Sequence, residues 1–145
     1  MRKKVQIWEV GVAPEILKIK KNLQAWGNRE EICDALQKEI RQNEKFAENI
    51  EFPELKAHLD KQREQLNKNL AEAVECSKAM EYLVDSLSED EIMLLRMKFE
   101  KGIPTEMICM KMFISRATFF RKQKAAFEKL AKMVFEGEGR WKLVY

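Results

Sequence analysis

Glycine and proline are scarce in this chain, five and three among 145 residues. A β-sandwich or barrel draws on both for its many turns, so the scarcity points to an all-α chain. The three cysteines, Cys33, Cys76 and Cys109, stand far apart with no CxxC pair, and His58 is the only histidine. That inventory leaves no cysteine–histidine metal cage, implies no disulfide framework, and makes a reduced, cytoplasmic setting the natural reading. Isolated thiols of this kind read as small apolar side chains. Long apolar runs are missing as well. No uncharged stretch exceeds the seven residues from Asn22 to Asn28, so no membrane span is expected. Arg2, Lys3 and Lys4 are followed only by Val5 to Trp8 before Glu9, too short an apolar run for a signal peptide. No Gly-rich phosphate loop and no nucleophile–base set is visible, so neither an enzyme nor a cofactor or small-molecule substrate is expected. The acidic pairs Glu30/Glu31 and Asp90/Glu91 read as helix-start residues favoured by the dipole.

What is present is charge without a dominant sign: 27 basic against 24 acidic residues, a formal net charge of +3. Bulk charge does not make this a nucleic-acid coat, so its distribution matters more than its sum. The 46% hydrophobic content suffices for one domain, or for a small domain plus an extended helical part.

Along the chain, Val5, Ile7, Val10 and Val12 suit a short strand or an irregular lead-in. From Pro14, Ile16, Ile19, Leu23 and Trp26 recur at helical spacing, with Gly27 as a stop. Asn28 then reads as an N-cap with Glu31 completing a capping box. Ile32, Leu36, Ile40, Ala47 and Ile50 carry a second helix, and Pro53 opens a third after a break.

The stretch Pro53 to Leu87 has no glycine and no further proline. Leu59, Leu66, Leu70, Ala73, Met80, Val84 and Leu87 fit a heptad seam, interrupted by Arg63 and Ser77. Such a face must pack against the preceding helix as a hairpin, against a second chain, or both. With 5 basic and 7 acidic residues, the segment is no surface for DNA. Residues 1–87 are therefore expected to be a helical hairpin or coiled-coil region in which the seam pairs two chains as a homodimer.

Residues 88–136 read as a separate three-helix unit. Ser88 and Glu91 form a capping box, with Leu87 and Ile92 placed for a hydrophobic staple. The helix so started ends near Gly102, Pro104 opens a short helix with Met107, Ile108 and Met112 inward, and Phe113-Ile114-Ser115 leads to a last helix capped by Ser115. Short helix, tight turn and capped helix is the pattern of a helix-turn-helix. On a 100° wheel, Phe119, Gln123, Ala126 and Leu130 fall on one side, and Arg116, Ala117, Arg121 and Lys124 on the other. From Ser115 to Val134 there are 6 basic residues against 1 acidic, so the positive charge is concentrated where a groove-reading helix would lie. Ser115, Arg116, Ala117, Thr118, Phe120, Arg121, Lys122 and Lys124 are the candidate contacts to double-stranded DNA. The arginines are placed for base edges or phosphates, the lysines mainly for phosphates.

The stretch Leu87 to Leu130, above all Gly102-Ile103-Pro104-Thr105-Glu106-Met107-Ile108-Cys109 and Ile114-Ser115-Arg116-Ala117-Thr118, resembles region 4 of bacterial sigma factors. The resemblance implies a recognition helix on a promoter element and a partnership with RNA polymerase. The overall layout is similar to phage or prophage late transcription regulators of the ArpU and RinA type. Three positions depart from the family pattern. Phe113 occupies the turn position usually held by glycine, Cys109 replaces a small alanine, and Phe120 stands where a polar or basic residue is usual. Nothing resembles the promoter-melting region of a complete sigma factor, which makes regulator the better description. Two rivals stand beside it: a phage terminase small subunit, and an interaction protein whose coiled coil is the working part. In the tail, 137–145, Trp141, Leu143 and Tyr145 alternate with Lys142 and Val144 as in a short strand.

Overall fold

The computed structural model describes residues 13–136, and every regular element among them is helical. They are α1 (Pro14–Gly27), α2 (Arg29–Ala47), α3 (Pro53–Asp85), α4 (Glu89–Leu95), α5 (Thr105–Met112) and α6 (Arg116–Phe135), with a π-helical turn at Arg96–Glu100 continuing α4. The strands suggested for Val5 to Val12 and for the 137–145 tail lie outside the described residues.

Helix starts follow local chemistry. Pro14 and Pro53 stand in the first turns of α1 and α3, where a missing N–H leaves no partner wanting. At α4 the Ser88 hydroxyl accepts from the Glu91 amide while the Glu91 carboxylate accepts from the Ser88 amide, a complete capping box. Asn28 does stand at the N-cap position of α2, but the expected capping box with Glu31 is not made. It is the single residue between α1 and α2, its backbone is close to helical (φ −102°, ψ 19°), and its side chain makes no cap hydrogen bond. The cap geometry requires extended backbone, which one linking residue does not supply here.

The main core runs through most of the described chain. Ile19, Leu23 and Trp26 of α1, Met80, Leu83 and Val84 of α3, Leu94 and Leu95 of α4, Ile108 of α5, and Phe119, Ala126 and Leu130 of α6 form one buried cluster. It crosses the boundary expected at residues 87/88, because α1 packs against α6 as well as against α3. Among the described residues, α1 and α3 therefore share one core with α4, α5 and α6. Beyond its first residue, Arg29, α2 packs chiefly on the facing part of α3, forming a two-helix arm.

That arm corrects the reading of the seam. Leu59, Ala73, Met80, Val84 and Leu87 are buried by their own chain, and Leu66 and Leu70 are half-buried. Helix α3 spends most of this apolar side on α2 and on the main core, and leaves Leu66 and Leu70 partly open. Even the interruption at Arg63 is used internally. Its guanidinium donates to Asn43 of α2 and pairs with Asp60 at 2.7 Å, while Asn43 donates to the Leu59 carbonyl. Two of the thiols are packing groups: Cys76 and Cys109 are buried, and Cys76 donates to Asn22, while Cys33 is half-buried.

The end of α1 meets the π-helical turn closely. Gly27 is the last residue of α1, as expected, and a Cβ there would fall on the carbonyl of Phe99, so glycine is also required for backbone approach. Beside it, Arg96 donates to Glu81 (2.6 Å), Asp85 (2.9 Å) and Glu100 (3.0 Å). Arg29 donates to Glu100 and to the Trp26 carbonyl, and the Trp26 indole donates to Glu81 at 2.7 Å. Both guanidiniums lie over the Trp26 ring, 5.2 and 5.4 Å from its centroid. Burial alone would raise the Glu81 and Glu100 carboxyls. The hydrogen bonds from Arg96 and Trp26 to Glu81, and from Arg29 and Arg96 to Glu100, hold both below the ordinary value of 4.5.

Gly27→Ala should destabilise the chain by about 3 kcal/mol in urea unfolding, because backbone must move. Gly102→Ala, at φ +61° with nothing within 4 Å, should cost only about 1 kcal/mol of left-handed strain. Glutamates with depressed folded values contribute stability above the unfolded value and lose it as pH falls through the folded one. The urea midpoint should therefore drop between about pH 5 and pH 3, and Arg96→Met should flatten that dependence.

Candidate nucleic-acid interface

Helix α5 ends in a Schellman arrangement: the Ile114 amide bonds to the Cys109 carbonyl at 3.0 Å and the Phe113 amide to that of Met110 at 3.4 Å. The motif places Phe113 in left-handed backbone, φ 55° and ψ 44°. Glycine is the usual occupant because it alone has no Cβ to strain. Here the position carries a phenylalanine that is 95% exposed, so burial does not offset the strain. Ile108 and Cys109 face the core, but Met107 does not: it lies outside with Met110. With only eight residues in α5, its inward stripe is narrower than the apolar spacing suggested.

Two residues after Phe113, Ser115 starts α6 from extended backbone, its hydroxyl accepting from the Thr118 amide at 3.1 Å. The inner side of α6 buries Phe119, Ala126, Phe127, Leu130 and Val134. Gln123, half-buried on that side, keeps its Oε1 buried without a hydrogen-bond partner.

The outer side brings the sequence-derived candidates together. Arg116, Ala117, Phe120, Arg121 and Lys124 are exposed with Ser115, while Thr118 and Lys122 are half-buried. Arg116 reaches Glu106 of α5 at 3.7 Å, and its guanidinium lies 5.6 Å from the Phe120 ring centroid. Arg121 donates to the Thr118 hydroxyl at 3.1 Å, and Lys122 pairs with Asp90 at 3.4 Å. Ion pairs between exposed groups are weak, so these cations remain available to a polyanion. Phe120 stands edge-on against the fully buried Phe119, ring centroids 5.2 Å apart.

What holds this face in place was less visible in the sequence. Glu91, read there as a helix-start residue, has a side chain only 6% exposed and pairs with Lys129 of α6 at 2.7 Å. Burial pushes its carboxyl up, but the bonds from Lys129 and Ser88 outweigh that and hold it below the ordinary range. One carboxylate thus caps α4 and fastens it to α6. The long separation between Glu91 and Lys129 hides the pair from local pattern reading. Among the described residues, no group of three or more His, Cys, Asp or Glu side chains is placed to hold a metal ion.

Relief of the turn strain is measurable. Phe113→Gly should raise stability by about 0.5–1 kcal/mol in urea unfolding, the gain being reduced by the greater freedom of glycine in the unfolded chain.

Comparison with curated proteins and with solved structures found no match. The family described as "Protein of unknown function (DUF1492)" matches residues 53–131, from the start of α3 to well into α6. The match covers more than half of the chain, which therefore belongs to this family of proteins of unknown function.

Proposed function

We propose that the chain is a sequence-specific DNA-binding transcription regulator, with α5, the Phe113 turn and α6 acting as a helix-turn-helix. The carrying observation is the exposed cationic side of α6: Arg116, Arg121 and Lys124 point away from the body of the protein beside the helix N-terminus. The major groove admits one α-helix, and residues near its start reach the base edges. A buried opposite side and the Glu91–Lys129 pair give α6 the fixed orientation that readout requires.

The resemblance to sigma factor region 4 extends the proposal to transcription in partnership with RNA polymerase, in a phage or prophage late-gene setting. One α6 serves one half-site. A homodimer would present two such helices to paired half-sites. Occupation of that seam from within the chain weighs against a protein whose working part is an intermolecular coiled coil.

Duplexes selected from a random pool by the full chain provide the test, with affinity followed by fluorescence anisotropy across a salt series. Arg116→Ala combined with Arg121→Ala should weaken binding and reduce the slope of log K against log salt by up to about 2. Unchanged affinity and slope would show that this face does not meet DNA.

A further inference from the structure

Phe120 is the residue on the outer side of α6 that the electrostatic reading leaves unexplained. It is 45% exposed in the second turn of the helix, with Arg116 one turn before it, Lys124 one turn after it and Arg121 next in sequence. A solvent-facing cationic helix has no use for an aromatic ring in that position. The ring is also held rather than loose. Its edge contact with Phe119, itself fully buried, fixes one side, and the Arg116 guanidinium lies over it.

Building on the DNA-binding reading above, we infer that Phe120 is a specificity-determining residue that reads the 5-methyl group of a thymine in the major groove. The chemistry of the groove supports this choice. Thymine alone among the four bases presents a methyl group there, and an apolar side chain is its natural complement. The exposed Ala117, one turn back on the same side, leaves room for the base pair to approach. Arg116 and Arg121 flank the ring with donors suited to guanine O6 and N7 or to phosphates. Their charges also disfavour an apolar protein pocket as the occupant, since each guanidinium would then have to be desolvated or paired. A polyanion with a methyl group in its groove satisfies the cations and the ring together.

The experiment uses the full chain and its pool-selected duplexes, resynthesised with deoxyuridine in place of each thymine in turn. This exchange removes only the methyl group and keeps the base pair and O4. At one or two positions the wild-type affinity should fall about fourfold, the effect of exposing one buried methyl. Phe120→Ala should bind thymine and uracil duplexes equally at those positions, and Phe120→Leu should retain part of the discrimination. Thermal unfolding by circular dichroism establishes that both variants are folded, while the wild-type comparison requires no variant. If uracil is tolerated everywhere while binding and its salt slope persist, the methyl inference is overturned and DNA binding stands. Discrimination that survives in Phe120→Ala overturns it too, by assigning the contact to another side chain. Failure to enrich any duplex overturns both readings.

Discussion

A single guanidinium, that of Arg96, joins the segments whose relative placement determines where α6 lies. It sits in the π-helical turn, binds Glu81 and Asp85 near the end of α3, reaches Glu100 within its own turn, and covers the Trp26 ring at the end of α1. Its proton is held more firmly than an ordinary arginine's, first by the Glu81 bond and then by Glu100. The π-helical turn aims these donors through the bond from the Lys101 amide to the Arg96 carbonyl, one residue wider than an α-helix would make. Since α1 also packs on α6, the arginine cluster and the candidate DNA face are linked through α1. Gly27 permits the backbone approach on which this arrangement rests.

The second point of control is the pair between Glu91 and Lys129 of α6. Glu91 belongs to the first turn of α4, where a carboxylate is already favoured by the helix dipole and by Ser88. Extending it to Lys129 ties α4 to α6 along a line distinct from the α1 contact. A helix held from two directions presents its outer side chains in one orientation, the pre-organisation that base readout requires. The π turn and the buried carboxylate thus act on the same element, one through apolar packing and one through a charge pair.

Much of this was legible in the sequence where the cause is local. The Ser88 and Ser115 caps, the prolines opening α1 and α3, and the two sides of α6 are all set within four residues of themselves. Where the cause is distant, pattern reading went astray. The α3 heptad states that an apolar seam exists but not which chain fills it, and α2 with the main core fills it here. Asn28 has the composition of a cap, yet the immediate succession of α1 and α2 denies it the backbone. Gly27 does end α1, but its second role was hidden because the neighbour that demands glycine, Phe99, lies far along the chain. Met107 has the type of a core residue and a position outside it, since eight residues of α5 give room for few inward side chains.

Two phenylalanines break local rules in the same small region, and the rules they break differ. Phe113 accepts left-handed backbone at a position where glycine would be unstrained, and gains no burial in exchange. Phe120 places an aromatic ring among cations on a face otherwise suited to water. Neither choice is accounted for by the core, because Phe113 touches solvent almost entirely and Phe119 already supplies the buried ring of that turn. Sequences tend to violate local preference where function sets a competing demand. Both violations fall at the start of α6, beside Arg116 and Arg121, whereas the Ser115 cap and the buried apolar residues Phe119, Ala126, Phe127, Leu130 and Val134 follow local preference. The exceptions at the exposed end of α6 thus lie where folding sets the fewest demands, which is the end that the proposed reading assigns to an external partner.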